Sequence, residues 1–512
     1  MTFVIIGHDF HDHQRLDNGS DWAIVRVDCD QRGSIVRTDG YSSLKSRLNK
    51  HDISRAGPTQ SAFNFEVSRM KRVQRLFLAI AVSAAITAPS GSFAQSHPEF
   101  IALGRVSAAL YKPDRGPAPR IAFVIGHRTA NYLNHIGCRE LSSRGFLALC
   151  FNTRFQNNES QVRWEETPLD VKAAVEFVRR QPGITKVILF GHSGGGPLMS
   201  FYQAVAENGP AYCQKPERLV KCGDDLRGLS PTDAIVFADA HAGNPVQTLR
   251  SLNPSVTIDD GKRHVDPALD PFDEKNGYNP NGPSHYSKGF QERYFAAQAK
   301  RMNELIDKAT AIQERIKKGD YPYPDDDIVL IPSGGNPGAG AGGDAKLATL
   351  DPTIADLQST ARPEKLLRND GSIVTQMVKS VAVAEPGMAK TNRGFDTGTK
   401  IFTLKSFLSA NATRATNANS GIDHCSSNNS TTCAVQSISV PVLIAAMGAY
   451  QFIRDDEIIF DKSASRDKEY FVLEGAVHGF TPCTACETTP GQYSNSVKNL
   501  FDYIRDWTNK RF

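Results

Sequence analysis

The sequence predicts an α/β protein built on a doubly wound, mostly parallel sheet that carries a large inserted region. Short apolar segments alternate with amphipathic segments up to residue 243, which is typical of strands alternating with helices. The alternation stops over residues 244–437 and returns at Val440. The run GHSGG at 191–195 stands between a predicted strand and a predicted helix, and its glycines indicate a sharp turn there.

The first part of the sheet is predicted within residues 95–243. An alternating segment over 100–111 predicts a hairpin strand at its start. The further predicted strands are 121–125, 146–151, 187–190 and 234–238, and the predicted helices are 134–143, 168–180 and the segment after Ser193. Ligands of such sheets bind at the carboxyl ends of the strands, and Ser193 lies at one of these ends.

Residues 244–437 are rich in Pro, Asn, Asp and Gly. We interpret them as a cap over the site at Ser193, because they interrupt the sheet where a pocket must open. An independently folded binding domain is the alternative. Apolar residues at three- and four-residue steps over 290–318 predict one long amphipathic helix. The run SGGNPGAGAGG at 333–343 predicts a mobile loop.

The second part of the sheet is predicted within residues 438–512. Its strands are 441–447 and 470–473, and the second ends in the run EGAVHGF at 474–480. A closing helix over 496–507 presents one apolar face.

The N-terminal residues predict an exported protein. Residues 1–69 show no sustained period, whereas 70–94 combine basic residues, a short apolar run and small residues before Gln95, as a secretory signal peptide does. We expect Met70 to be the initiator and residues 1–69 to be a non-native or disordered extension; an ordered extension followed by a buried helix is the alternative. The run is too short for a stable membrane span, so the expected location is secreted or periplasmic.

Composition limits the partners. The chain has 512 residues, of which 40% are hydrophobic and 22% charged, with 59 Lys+Arg against 55 Asp+Glu. This balance gives no basic surplus for a nucleic-acid partner. A group of histidines and aspartates over 8–13 offers metal ligands, but it lies in the N-terminal extension and carries little weight.

The cysteines agree with export. Signal cleavage would remove Cys29 and leave eight of nine cysteines, an even number. Three pairs of cysteines are close in sequence: Cys213 with Cys222, Cys425 with Cys433 and Cys483 with Cys486. The two cysteines that remain are Cys138 and Cys150. We expect disulfides whose connectivity the sequence leaves open. Cys483 and Cys486 form a CxxC motif, for which a redox or zinc role is the alternative.

The GHSGG run has the pattern of a nucleophile elbow. A strained turn puts the serine at its tip, so the positions two before and two after Ser193 must be nearly free of side chain, and they are Gly191 and Gly195. A serine hydroxyl is a weak nucleophile until an imidazole takes its proton and a carboxylate holds that imidazole in the right tautomer. The histidine after the last predicted strand is His478.

Elbow, strand order and late histidine together resemble an α/β-hydrolase over Gln95 to Phe512, apart from the cap. The resemblance implies a triad in the chain order serine, acid, histidine. Ser193 is then the nucleophile and His478 the base.

The acid is open between two aspartates. The usual family position follows the penultimate strand, where this chain has the run GAYQ at 448–451 without a carboxylate. Asp455 and Asp456 lie slightly further on, but acidic residues there also suit a helix N-terminus. Asp239 ends the strand 234–238, and a carboxylate at the end of a buried strand is costly unless it is paired. We therefore prefer Asp239, with Asp455 as the alternative acid.

The resemblance also implies an oxyanion hole made of two backbone N–H groups. Gly194, after the nucleophile, is expected to supply one. The other is expected from the loop after strand 121–125, from His127, with Arg128 as the neighbouring candidate. We expect His192 and His241 to shape the pocket only.

The predicted protein is an exported serine hydrolase that cleaves a carboxylic ester through an acyl-enzyme, with no metal or organic cofactor. An amidase or peptidase with the same residues is the first alternative, and a non-catalytic binding protein of this fold is the second. The size of the ester substrate, small or polymeric, and the oligomeric state are open.

Overall fold

The protein is described by a computed structural model. The described residues are 3–6, 24–29, 35–36, 97–259, 262–332, 347–351, 353–354, 358–382 and 399–512. The predicted signal peptide over 70–94, the histidine and aspartate group over 8–13 and the glycine-rich run over 333–343 lie outside them. The chain divides into two compact units, Met1–Ala88 and Pro89–Phe512.

Within its described ranges, the first unit has three short strands that pair antiparallel. They are β1 (Phe3–Ile6), β2 (Ile24–Cys29) and β3 (Ile35–Val36).

The second unit is built on one ten-stranded sheet among the described residues. The strands of this unit are β4 (Glu99–Leu103), β5 (Val106–Tyr111), β6 (Ile121–His127), β7 (Leu147–Asn152), β8 (Lys186–Ser193), β9 (Ala234–Ala240), β10 (Val256–Asp259), β11 (Lys262–Val265), β12 (Ile328–Pro332), β13 (Glu364–Leu367), β14 (Ile373–Gln376), β15 (Thr399–Thr403), β16 (Ala415–Asn417), β17 (Gly421–Ile422), β18 (Val442–Met447) and β19 (Lys468–Leu473). The sheet order is β14-β13-β19-β18-β9-β8-β6-β7-β5-β4. From β13 to β7 neighbouring strands run parallel, and β4, β5 and β14 join antiparallel at the two ends.

Helices cover both faces of this sheet. The helices are α1 (Ile136–Ser142), α2 (Thr167–Arg179), α3 (Gly195–Asn208), α4 (Asn244–Ser251), α5 (Lys288–Lys318), α6 (Leu347–Leu350), α7 (Leu404–Ser406), α8 (Thr431–Ala434), α9 (Ile453–Lys462) and α10 (Ser496–Asn509). No helix of the described ranges combines the length and the apolarity that crossing a membrane requires.

The two faces of β8 show why the sheet is doubly wound. Val187 and Leu189 pack into an apolar cluster with α2 and α3, whereas Ile188 and Phe190 pack into a second cluster with α1 and α10. Successive side chains of a strand point to opposite faces, so a strand that is apolar at every position is buried on both. The predicted α/β class with a mostly parallel sheet is therefore confirmed.

The long helix predicted over 290–318 is α5. It begins after Ser287, whose side chain accepts a hydrogen bond from the Phe290 N–H, and it ends at Gly319, which has a φ of 72°. Its apolar stripe packs into a third cluster with α4, β12 and β15.

Residues 244–437, expected as a cap, also extend the central sheet. Leu366 and Leu367 of β13 pair parallel with Val472 and Leu473 of β19, and β14 forms the sheet edge beyond β13. A four-residue strand has too few positions to show a period, so β13 could not be predicted from the sequence. The division at 243/244 and 437/438 stays a prediction.

Eight cysteines form four pairs at disulfide distance. The three pairs close in sequence bond as neighbours, and Cys138 of α1 bonds Cys150 of β7 with their Cα atoms 6.1 Å apart. Disulfides persist in oxidising compartments, so this set fits an extracellular protein.

Candidate active site

The turn at Ser193 has the strained geometry that an exposed nucleophile requires. Ser193 is the last residue of β8 and has a φ of 56°, in the left-handed region that L-residues seldom adopt. A Cβ on Gly191 would lie 2.8 Å from the carbonyl oxygen of Gly195, and one on Gly195 would lie 2.4 Å from the carbonyl oxygen of Gly126. Only glycine lets the strand, the helix and β6 pass this closely.

Asp239 and His478 meet at the carboxyl ends of β9 and β19. Oδ2 of Asp239 lies 2.5 Å from Nδ1 of His478, and Oδ1 accepts a hydrogen bond from the Met447 N–H at 3.1 Å. Asp239 is fully buried and has a φ of 48°. Burial raises the pKa of this carboxyl, and the hydrogen bond from His478 acts in the opposite direction. The carboxylate is thus fully engaged by a ring nitrogen and a backbone amide.

The imidazole of His478 is held by aromatic rings. Tyr450 stacks on it with ring centroids 4.4 Å apart and 19° between the planes, and Phe452 meets it edge-on at 5.6 Å. The side chain remains 28% exposed, which leaves the ring accessible from the site. Tyr450 belongs to the 448–451 run, where sequence reasoning looked for a carboxylate.

Asp455 is paired elsewhere. Both of its carboxylate oxygens lie 2.9 Å from Nη1 of Arg250 in α4. Asp455 and Asp456 occupy the first turn of α9, and both are buried. Burial, with Asp239 and Asp455 close by, raises the pKa of Asp456 well above its usual range. The structure therefore brings Asp239, and not Asp455, to His478.

His127 and Arg128 converge on Gly194. A Cβ on Gly194 would lie 2.6 Å from Nε2 of His127 and 2.8 Å from Nη1 of Arg128. Nδ1 of His127 accepts hydrogen bonds from the backbone N–H groups of Thr129 and Ala130, at 3.2 and 2.8 Å. Nδ1 therefore carries no proton, and the neutral ring has its hydrogen on Nε2. Burial lowers the pKa of His127 to about 3, so the ring is neutral at physiological pH.

The Arg128 guanidinium is buried and firmly held. Nη2 of Arg128 lies 2.7 and 2.9 Å from the two carboxylate oxygens of Glu159, and Nε lies 3.1 Å from one of them. Nη1 donates to Oδ1 of Asn244 at the start of α4. Burial acts to raise the pKa of the Glu159 carboxyl, but the Arg128 guanidinium and the hydrogen bond from Thr129 together lower it below its usual value. Sequence reasoning considered Arg128 only for its backbone and missed Glu159 and Asn244, which no local motif marks.

A group of rings surrounds His192. Tyr132, His135 and Phe480 have ring centroids 6.0, 5.1 and 4.4 Å from that of His192. Tyr132 and His135 lie in the loop before α1 and were missed by sequence reasoning. His241, expected as pocket lining, accepts the Gly243 N–H on Nδ1 at 3.1 Å and meets Phe452 edge-on. Among the described residues, no group of three or more metal-binding side chains has metal-site geometry.

The strand order decides the fold. An antiparallel edge, β4 and β5, is followed by β7, β6, β8, β9, β18 and β19 in parallel, and the turn at Ser193, the candidate nucleophile, lies between β8 and α3 at the centre of the sheet. The chain has the α/β-hydrolase fold. Asp239, the candidate acid, lies at the end of β9, which neighbours β8, the strand that ends at Ser193. This is one strand before the usual position of the acid in that fold.

Comparisons with known proteins find similar chains among solved structures only. No family model matches the sequence, and no curated protein matches it. Among solved structures, DcsB in complex with its substrate analogue is 12% identical, with 81% of this chain and 100% of that chain covered and a TM-score of 0.38. Est1E from Butyrivibrio proteoclasticus is 9% identical, with 81% and 98% covered and a TM-score of 0.35. Esterase B from Lactobacillus rhamnosis is 20% identical, with 31% and 52% covered and a TM-score of 0.24.

Proposed function

We propose that the protein is an exported serine hydrolase that cleaves carboxylic ester bonds through an acyl-enzyme intermediate. The observation that carries the proposal is the 2.5 Å contact between Nδ1 of His478 and Oδ2 of Asp239. Ser193, held at a φ of 56°, pairs in the sheet with Ala240, the residue after Asp239. A buried carboxylate paired with a histidine at the ends of two strands has no evident packing purpose, whereas it is what an activated serine needs.

In the proposed reaction, the same three side chains, those of Ser193, His478 and Asp239, take part in both acylation and deacylation. His478 donates its Nδ1–H to Asp239, so Nε2 is the free acceptor that takes the proton of the Ser193 hydroxyl. The serine oxygen attacks the ester carbonyl carbon, and the protonated imidazole then gives its proton to the leaving alkoxide. Water, deprotonated by His478, attacks the acyl-enzyme and releases the carboxylic acid and Ser193.

The oxyanion is proposed to bind between Gly194 and the loop after β6. The Gly194 N–H is one donor, and the backbone N–H of His127 or of its neighbour Arg128 is the other. The neutral Nε2–H of His127 and the guanidinium of Arg128, whose charge is balanced by Glu159, both lie beside Gly194, so their N–H groups are close to the place where the negative charge develops.

The test is hydrolysis of short- and medium-chain p-nitrophenyl esters by protein that begins at Gln95. We expect turnover by the wild type, loss of activity in Ser193→Ala, and stoichiometric labelling of Ser193 by a serine-directed phosphonate. Ser143→Ala, an exposed serine at the end of α1, is the matched control and should behave as wild type. A wild type that neither hydrolyses these esters nor reacts with the phosphonate would contradict the proposal.

Amide hydrolysis by the same residues is the alternative reaction. Matched ester and amide substrates with one acyl group separate the two, because the amide needs a better-protonated leaving group for the same acyl-enzyme. A non-catalytic binding protein would leave Ser193 unlabelled.

Export is proposed from the signal-like segment 70–94 and the four disulfides. N-terminal sequencing of the secreted or periplasmic protein should give Gln95. A mature protein that retains residues 70–94 would contradict it.

A further inference from the structure

His192, the residue before the proposed nucleophile, has both ring nitrogens engaged. Its Nε2 lies 2.8 Å from the backbone carbonyl oxygen of His478, and its Nδ1 lies 3.0 Å from Nε2 of His135. The side chain is buried, with 7% exposed. The sequence predicts only that His192 shapes the pocket, but these two hydrogen bonds connect it to the backbone of His478 and to His135.

The direction of these hydrogen bonds follows from one backbone amide. The Gly137 N–H points at Nδ1 of His135, 3.1 Å away, and an amide N–H can only donate. Neutral His135 therefore carries its hydrogen on Nε2 and donates it to Nδ1 of His192. His192 in turn carries its hydrogen on Nε2 and donates it to the carbonyl oxygen of His478. The chain runs from a backbone amide through two imidazoles to the backbone of the proposed base.

Ring packing fixes the two imidazoles in place. Tyr132 stacks on His135 with centroids 4.5 Å apart, and its hydroxyl lies 3.3 Å from the carbonyl oxygen of His192 and 3.1 Å from Nδ1 of His192. On the other side, Phe480 and His478 lie 4.4 and 4.5 Å from the ring of His192. The rings can neither flip nor tilt without loss of these contacts.

This chain of hydrogen bonds exists only while the imidazole rings of His135 and His192 are both neutral. A second proton on His135 would face the Gly137 N–H, and one on His192 would face the Nε2–H of His135. Burial, followed by the charges of His478 and Arg139, lowers the pKa of His135 to about 3. Burial likewise lowers the pKa of His192 well below its ordinary value. Both rings are thus neutral across the range in which an ester hydrolase works.

We propose that His192 is a positioning residue for His478, and that His135 holds the His192 ring in the required orientation by donating a hydrogen bond to its Nδ1. Among the described residues, no other group hydrogen-bonds the backbone of His478. The side chain of His478 is anchored by Asp239 and its backbone by His192, so the two anchors together fix where Nε2 meets Ser193. The kinetic consequence rests on the proposed function, whereas the tautomers do not.

The kinetic test compares two substitutions at one position. His192→Phe keeps a ring for packing but removes the donor, and His192→Gln places an amide N–H near the former Nε2. We expect His192→Phe to lower kcat about 10- to 100-fold with little change in KM, because misplacement of a catalytic group costs rate rather than ground-state binding. His192→Gln should recover most of this loss. Wild-type kcat in a folded His192→Phe, or equal losses in both variants, would overturn the proposal.

The test of the histidine tautomers does not depend on whether the protein is catalytically active. In ¹⁵N-histidine-labelled wild type at neutral pH, long-range ¹H–¹⁵N correlation spectra should show His135 and His192 as Nε2–H tautomers. The Nδ1–H resonance of His478 should broaden or disappear in His192→Phe and persist in His192→Gln. An Nδ1–H tautomer at His192 would overturn the proposal, even if wild type hydrolyses esters. If wild type is inert to ester and phosphonate, the proposed function fails, and the spectra still decide the hydrogen-bond chain.

A substitution at a second position tests the proposal if the first variant does not fold. If His192→Phe does not fold, His135→Phe removes the donor to Nδ1 of His192 while leaving the His478 loop intact. We expect a severalfold lower kcat with little change in KM, because the His192 ring loses one of its hydrogen bonds, and His135→Gln should be closer to wild type. Wild-type kcat in a folded His135→Phe, or equal losses in His135→Phe and His135→Gln, would overturn the assigned role of His135.

Discussion

Both carboxylate oxygens of Asp455 lie 2.9 Å from Nη1 of Arg250, which binds the alternative acid to α4 rather than to His478. Only 12% of the Arg250 side chain and 4% of the Asp455 side chain are exposed. The same Asp→Asn change should therefore act on catalysis at position 239 and on stability at position 455.

Asp239→Asn should lower kcat by about 10⁴-fold with little effect on KM, because the imidazole loses its tautomer and its charge partner. Steady-state hydrolysis of p-nitrophenyl butyrate measures this. If Asp239→Asn keeps more than a tenth of wild-type kcat, Asp239 is not the acid.

Asp455→Asn should lower the free energy of unfolding by about 3 kcal/mol, because Arg250 loses its charge partner in a largely buried setting. Urea denaturation gives the stability, and activity is compared per folded molecule at low temperature. Activity of folded Asp455→Asn should match that of the wild type. A collapse of kcat there, with Asp239→Asn active, would reverse the assignment.

Gly194→Ala should lower kcat about 100-fold, although the backbone of Gly194 is ordinary, with φ −67° and ψ −4°. The added Cβ would collide with Nε2 of His127 and Nη1 of Arg128, so these side chains or the turn must shift. Gly289→Ala in α5, where the nearest atom would lie 3.5 Å away, is the matched control and should keep wild-type kcat. Equal activity of the two variants would show that His127 and Arg128 do not define the proposed oxyanion hole.

Glu165 should make stability depend on pH near neutrality. Its carboxyl accepts hydrogen bonds from Ser409 at 2.5 Å and from Asn428 at 2.9 Å, and burial raises its pKa to about 7. Because the folded pKa lies above the unfolded value of about 4.3, the contribution to stability is complete below pH 4.3 or so and is lost as pH rises through about 7.

Glu165→Gln removes this titration, so its stability relative to the wild type should be about 3 kcal/mol more favourable at pH 8 than at pH 4. Thermal unfolding of wild type and Glu165→Gln at both pH values measures the difference. A difference between the two proteins that does not change with pH would contradict the raised pKa.

The disulfide between Cys138 and Cys150 should stabilise the fold more than the disulfide between Cys483 and Cys486. It closes a separation of 12 residues within the core, whereas Cys483 and Cys486 are three residues apart. Replacement of the first pair by alanine should cost ~3 kcal/mol and of the second ~2 kcal/mol, since loop-closure entropy grows with loop length. Urea denaturation of the two double variants checks this, and an equal or inverse ranking would contradict it.

The sequence was sufficient wherever a structural signal is local. The elbow at Ser193 needs glycines within two residues of it, so the strand, the turn and α3 were predicted together. The helix α5 was predicted because its apolar residues recur with a helical period along a 31-residue element. It begins two residues before the predicted start. Three of the four disulfides join cysteines fewer than ten residues apart.

Tertiary structure alone decided which groups meet at the site. Asp239 and His478 are 239 residues apart, and Arg128 and Asn244 are 116 apart. Their approach depends on which strands lie side by side, because parallel strands bring their carboxyl ends to one edge whatever their distance in sequence. The bonds of His192 to His135 and His478 likewise depend on ring orientations set by packing. Periodicity and propensity encode single elements, whereas contacts between elements follow from how their buried faces pack together.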